Sequence, residues 1–292
     1  MKTCIFYGNC QVIYNVYDVL NSTPEFRDQY KSIRYVNHDR DQTRELSNIN
    51  IDDLKNCDLF IYQPLGINHG VFSTDNIKKL LKDECVKISF PYVYNSSFYT
   101  TYWEGASSRW TIGTLVNCGW RNIMKLILEE YKIDEILSLY DEDKIDFYFE
   151  ERMNICMKSL KEKEKDCDIK VTDFILNNFK DKRLFITQNH LTHYFNKWIS
   201  NRILEILNMS LLPDEYSNDV SVEANCVYDS YNKKYYDFSY DIKSITDNNS
   251  TRYKIVEFYN FFKNKKSNFN VKDIVPYIII NDPENFINSP YA

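Results

Sequence analysis

The stretch Thr3-Cys4-Ile5-Phe6-Tyr7-Gly8-Asn9-Cys10-Gln11 constrains this chain more than any other. Residues 3 to 7 read as a short buried strand, and the apolar groups at 12, 13, 16, 17, 19 and 20 fall on one side of a helix. Gly8-Asn9 is then a tight strand-to-helix turn, a place where glycine takes backbone conformations closed to other residues. The turn delivers Cys10 to the first turn of the helix. Unpaired N–H groups and the positive end of the helix dipole favour an anion there, so the thiol pKa is expected to fall toward thiolate. Cys10 is therefore the candidate nucleophile. Burial is the competing explanation for any free cysteine, but a strand-turn-helix junction is also the geometry that exposes a nucleophile at the top of an α/β sheet.

Further strands are expected at 32–36, 58–62, 86–90 and 183–187, each ending in turn residues. Between them lie helical patterns beginning at Thr23-Pro24-Glu25, at 51–56 and from Ser73 or Thr74 through Asp83. Strands alternating with helices imply parallel pairing with right-handed crossovers. The expected fold is thus α/β, a three-layer sandwich around a mainly parallel sheet of about five strands with helical insertions. Later helices are expected at 117–131, 133–140, 143–165, 171–179, 191–207 and 253–263, with a late apolar run at 274–280. Residues 1–210 would form the catalytic domain, and 211–292 a C-terminal extension packing on it. The aromatic run from Tyr92 to Trp110 is too apolar for a solvated linker and reads as a wall or lid at the sheet edge. Lys161-Glu162-Lys163-Glu164-Lys165 reads as a solvated helix face with no function.

The formal charge of −6 argues against nucleic acid as a partner, since phosphate binding needs a basic face. No apolar run approaches a membrane span and no signal-peptide pattern opens the chain, so a cytoplasmic protein is expected. The eight cysteines contain no C-x-x-C pair and are expected to be reduced. No metal-ligand spacing is visible, so no metal is expected. A homo-oligomer is compatible with the sequence, which does not specify one.

In an open parallel sheet, ligands bind beyond the carboxyl ends of the strands near the point where strand order reverses. The residues that follow the expected strands are Gly8-Asn9-Cys10-Gln11, His38, Gln63, Pro91-Tyr92 with Tyr94, and Asn189-His190. One nucleophile, one base and several amide donors therefore fall on one rim. His190, at a strand end opening a helix, suits a general base beside a thiol or a sugar hydroxyl. His193 takes that role if the helix boundary shifts, while His38 and His69 have weaker claims. Gln11 and Gln63, with the backbone N–H of Cys10 or Gln11, would form an oxyanion hole. Their alternative use is hydrogen bonding to strand-end backbone.

Gly8-Asn9-Cys10-Gln11, Asp58-Leu59-Phe60-Ile61-Tyr62-Gln63, Phe90-Pro91-Tyr92 and Leu184-Phe185-Ile186-Thr187-Gln188-Asn189-His190 together resemble the WcbI-type family of bacterial polysaccharide biosynthesis proteins. The resemblance covers about residues 3 to 208. Gly8-Asn9-Cys10 also resembles the Gly-Asp-Ser block of SGNH-type esterases, although Thr187 stands where those enzymes carry an Asp. The family resemblance implies a flavodoxin- or SGNH-like sheet and acetyl transfer from acetyl-CoA to a hydroxyl of a capsular or surface polysaccharide or its precursor. It implies Cys10, His190, Gln11 and Gln63 as the catalytic set, with Gly8, Asn9, Tyr92, Tyr94 and Asn189 lining the coenzyme A site. The phosphates of coenzyme A call for cations, for which Arg109, Arg121 and Arg152 are the candidates. Two alternatives stay open: a Cys-dependent esterase or thioesterase using water, and a non-catalytic glycan-binding protein in which Cys10 is merely buried.

Overall fold

The computed structural model describes residues 1–37, 49–100, 120–216, 230–240 and 248–265. His38, Arg109, the 101–110 part of the aromatic run and the apolar run 274–280 lie outside the described residues. The described chain divides into two units. The first gathers 1–93, 160–178 and 190–221, and the second 94–159, 179–189 and 222–292. The second therefore draws on both the 1–210 and the 211–292 stretches.

In the first unit strand and helix alternate as the sequence requires. β1 (Lys2–Gly8) leads through a π-helical segment (Gln11–Val16) into α1 (Tyr17–Ser22), then α2 (Pro24–Gln29) and β2 (Tyr30–Val36). α3 (Ile51–Lys55), β3 (Leu59–Tyr62), a 3₁₀ segment (Ile67–Phe72), α4 (Thr74–Lys78) and β4 (Val86–Ser89) follow. The four strands pair in parallel in the order β2-β1-β3-β4. Register matches Gly8 with Val36, Tyr7 with Tyr62, and Tyr62 with Ser89, so the carboxyl ends of all four strands share one rim. Strand order reverses between β1 and β3, which flank the switch point of this sheet.

Period-two alternation sorts the core. Ile5, Tyr7, Phe60 and Tyr62 cluster with Leu54, Phe72, Ile77 and Leu81, burying the helices that follow β2 and β3. Phe6 instead meets Tyr17 edge-on at 5.1 Å and Phe26 at 6.2 Å, burying α1 and α2. α2 starts on Pro24 as its Thr-Pro-Glu signature requires.

The sheet has four strands where about five were expected. The fifth does form, as β5 (Phe185–Thr187), but outside this sheet. Phe185 packs in the second unit, 5.7 Å from Phe98. A second departure is the opening of the first helix. Tyr17 N–H donates to Val12 O, the i→i+5 pattern of a π-helix, and Arg34 Nη1 reaches Ile13 O at 3.4 Å.

In the second unit, α5 (Arg121–Leu128) and α6 (Ile133–Asp141) pack on α11 (Asn248–Lys265), where Trp120 stacks on Phe258 at 4.2 Å. α10 (Ser230–Tyr236), which periodicity did not reveal, inserts aromatic rings among Phe98, Phe179 and Phe238. Tyr236 OH donates to Ser97 O at 3.0 Å and Phe149 O at 3.2 Å. The long helix α7 (Phe149–Glu164) begins later than the 143 expected, because Asp143 and Tyr148 take left-handed backbone conformations. In the first unit, α8 (Thr172–Asn178) matches its expectation, while α9 (His193–Ile206) starts two residues late.

Candidate functional site

Cys10 stands at the start of the π-helical segment, directly beyond the carboxyl end of β1 and partly exposed. Two features of the turn put it there. Gly8 has no positive φ, contrary to the conformational reason expected for a glycine here. Its role is space: a Cβ at position 8 would lie 2.5 Å from Val12 Cγ2 and 2.7 Å from Val12 Cβ. Asn9 then accepts the Gln11 N–H on its Oδ1 at 3.0 Å, closing the turn, while the Asn9 N–H donates to Gln63 Oε1 at 3.2 Å.

Gln11 and Gln63 form a buried clasp. Gln63 Nε2 donates to Gln11 Oε1 at 2.8 Å and reaches Pro91 O at 3.4 Å. Gln11 Oε1 also accepts the Val93 N–H at 3.1 Å, and Gln11 Nε2 donates to Val93 O at 2.7 Å. Gln11 thus pairs with residue 93 as a neighbouring strand would. These bonds engage the amides with strand-end backbone and with each other, so they position the rim. The backbone N–H groups of Cys10 and Gln11 lie against the Cys10 sulfur.

The expected fall of the Cys10 pKa is not met. Burial raises it above the ordinary thiol value, and the N–H groups of Gln11 and of Cys10 itself offset this only in part. Desolvation outweighs the helix-start donors because the sulfur is only partly open to solvent.

His190 belongs to the same unit and opens the two-residue strand β6 (His190–Leu191) rather than a helix. Asn196 of α9 donates Nδ2 to Leu191 O at 3.1 Å, which fixes the backbone beside His190. His193 is the first residue of α9, and His69 is exposed on the 3₁₀ segment. α9 packs on the π-helical segment that Cys10 opens.

Tyr92 lies in the first unit between the two clasped residues Pro91 and Val93. Both of these are buried while Tyr92 is partly exposed. Lys163 Nζ sits 5.5 Å from the centre of its ring. The Lys161–Lys165 run is therefore not a uniform solvated face. Glu164 turns inward, where its Oε2 accepts the N–H groups of Val171 at 2.7 Å and Thr172 at 3.0 Å. The alternating charges of the run concealed both arrangements.

The remaining candidates lie in the second unit. Tyr94 OH donates to Gln188 Oε1 at 3.1 Å, the Asn95 N–H donates to Gln188 O at 2.8 Å, and Thr187 Oγ1 donates to Asn189 Oδ1 at 3.2 Å. Gln188 thus holds Tyr94 through its side chain and Asn95 through its carbonyl. Arg121 forms a two-pronged ion pair with Glu151, at 2.9 and 2.6 Å, with its guanidinium 3.5 Å over the Tyr148 ring. Arg152 is buried and donates to the carbonyls of Ser96, Thr100 and Phe147. Both arginines are engaged inside their unit. Among the described residues, no group of three or more His, Cys, Asp or Glu could hold a metal ion, and no helix is long and apolar enough to cross a membrane.

No curated protein sequence matches the chain significantly. Among solved structures, one of WcbI, described as a novel polysaccharide biosynthesis enzyme, superimposes with a TM-score of 0.67 at 19% identity, covering 95% of this chain and 93% of that one. It is described as the native protein without a disulfide bond between coenzyme A and one of its cysteines. At that identity the likeness shows a common fold. The sequence model of the polysaccharide biosynthesis enzyme WcbI matches residues 3–212, which hold the whole parallel sheet, Cys10 and His190. Matched over well more than half its length, the chain belongs to the WcbI family of polysaccharide biosynthesis enzymes.

Proposed function

We propose that the protein is a cytoplasmic O-acetyltransferase that moves acetyl from acetyl-CoA to a hydroxyl of a surface or capsular polysaccharide or its precursor. The observation that carries this reading is the place of Cys10. It stands partly open at the switch point of a parallel sheet, with two backbone N–H groups against its sulfur and its turn locked by buried amides. The family and the coenzyme A named for the structural relative supply the donor.

Burial that keeps the Cys10 thiol protonated near neutral pH favours a direct transfer. In that route the donor carbonyl is polarised by the Cys10 thiol and the N–H groups at the helix start. His190 takes the proton of the acceptor hydroxyl, whose oxygen forms the new ester bond to the acetyl carbon. The carbon–sulfur bond to coenzyme A breaks, and the departing sulfur receives the proton that His190 holds, leaving free coenzyme A. Gln11 and Gln63 act through position, since they fix the turn that carries Cys10.

Calorimetric titration of the reduced protein with coenzyme A and acetyl-CoA tests the donor site. Micromolar binding, about −8 kcal/mol, is the expected result. No binding of either at millimolar concentration overturns the reading. With binding in hand, transfer of labelled acetyl to a glycan acceptor, lost in His190→Ala, tests the chemistry.

A further inference from the structure

The π-helical segment that Cys10 opens hands one of its backbone carbonyls to a neighbouring strand. With ordinary winding the Tyr17 N–H would donate to Ile13 O, four residues back. Here it donates to Val12 O and Tyr14 O and passes Ile13 by. Arg34 Nη1 reaches the Ile13 carbonyl at 3.4 Å from β2. Register makes this reach possible, since Arg34 stands opposite Phe6 in β1, two residues before the Gly8–Val36 pair at the rim.

Two rings of the same stretch hold the guanidinium. Its carbon lies 4.4 Å from the centre of the Tyr17 ring and 5.7 Å from that of Tyr14. Tyr17 is fixed in turn by Phe6, edge-on at 5.1 Å. Asp18 follows on α1, where burial raises its carboxyl and the Arg34 charge offsets this in part. Arg34 itself is exposed, so these contacts, and not burial, order its long side chain. Turns of the π type are rare and concentrate at functional sites. This one starts at Cys10, with the N–H groups of Cys10 and Gln11 against the sulfur.

We propose that Arg34 is a positioning residue for Cys10: by taking the Ile13 carbonyl it keeps the Tyr17 N–H from reclaiming it, and so holds open the wide turn that aims the sulfur. Arg34 touches no reacting atom in this scheme and acts only through the backbone of the turn. Its use rests on the acyl-transfer reading, in which the thioester of the coenzyme lies at Cys10.

The test follows iodoacetamide labelling of each cysteine-bearing peptide by mass spectrometry, and coenzyme A binding by calorimetry, in wild type, Arg34→Met, Arg34→Lys and Tyr14→Ala. Arg34→Met keeps the stem and removes the donor. Expected in it are labelling of Cys10 about fivefold to thirtyfold faster, labelling of the buried Cys4 as slow as in wild type, and coenzyme A binding about tenfold weaker. The Cys4 comparison separates a local change at the turn from a general loss of stability, which would speed both. Arg34→Lys, which still carries a donor to one carbonyl, should lie within about threefold of wild type in both readouts. Tyr14→Ala, at an exposed position, loosens the guanidinium and should shift both in the same direction by about twofold or more. If Arg34→Met does not fold, Tyr14→Ala decides by itself. Wild-type labelling of Cys10 in the folded variants, or Cys4 speeding in step with Cys10, overturns the assignment and leaves the transferase reading standing. Faster labelling of Cys10 alone, with no coenzyme A binding by wild type, supports the placement of Cys10 by Arg34 and overturns the transferase reading.

Discussion

Gln63 Nε2 lies 2.8 Å from Gln11 Oε1, so the turns that end β1 and β3 hold each other through one buried amide pair across the switch point. Replacing Gln63 by leucine takes the acceptor from the Asn9 N–H, and replacing Gln11 takes both partners from the Val93 backbone, at a cost of about 2 kcal/mol for buried groups left without them. Urea denaturation of Gln63→Leu, Gln11→Leu and the double variant should show losses that do not add, because the bond between the two amides is lost only once.

Gly8→Ala tests the spatial reading of the turn. Its Cβ meets Val12 Cγ2 at 2.5 Å, so strand and helix must part, costing about 1–3 kcal/mol by analogy with core overpacking. Val12→Ala added to Gly8→Ala should recover only part of the loss, since the Val12 Cβ itself is 2.7 Å away. A full recovery in the thermal melt would assign the strain to the valine methyl alone.

Alkaline pH should weaken the fold through its buried thiols. Burial raises Cys10, and raises Cys167 to about 11, whereas an unfolded thiol titrates near about 8.5. Their stabilising contribution is complete below the unfolded pKa and is lost as pH rises through the folded one. Stability against urea should therefore fall between about pH 8.5 and 11, and Cys167→Ala should make that fall shallower. Iodoacetamide should label Cys10 with a midpoint higher in the folded than in the unfolded protein.

Glu164→Ala removes the acceptor that caps α8. With two N–H groups, of Val171 and Thr172, left without it, a loss of about 1–2 kcal/mol is expected. Glu162→Ala, one residue away and exposed, should change the melting curve little.

Local pattern made the strand-turn-helix at Gly8 to Gln11 and the rim after β3 and β4 legible, because period-two strands and turn residues are written in consecutive positions. The Gln11–Gln63–Val93 clasp was not legible: it depends on the register between strands separated in sequence. Glu164 and Lys163 share a run whose charge alternation looks fully solvated, and only its tertiary partners show that one turns in and the other toward Tyr92. The sequence does not reveal Glu151 as the partner of Arg121, nor the carbonyls of Ser96, Thr100 and Phe147 as those of Arg152. His190 was placed at a helix start because a two-residue strand leaves no periodicity to read.

The π-helical opening from Gln11 to Val16 ties the phase of the helix to the number of residues in it. A π turn holds about one residue more than an α turn, so deleting a single residue from this segment restores ordinary helical winding. Everything ahead of the deletion then rotates by about 100° against the face formed by Val12, Ile13 and Val16. The direction of the Cys10 sulfur is in this sense a count, fixed by the length of a six-residue stretch, and changes of length there reset it more abruptly than changes of side chain.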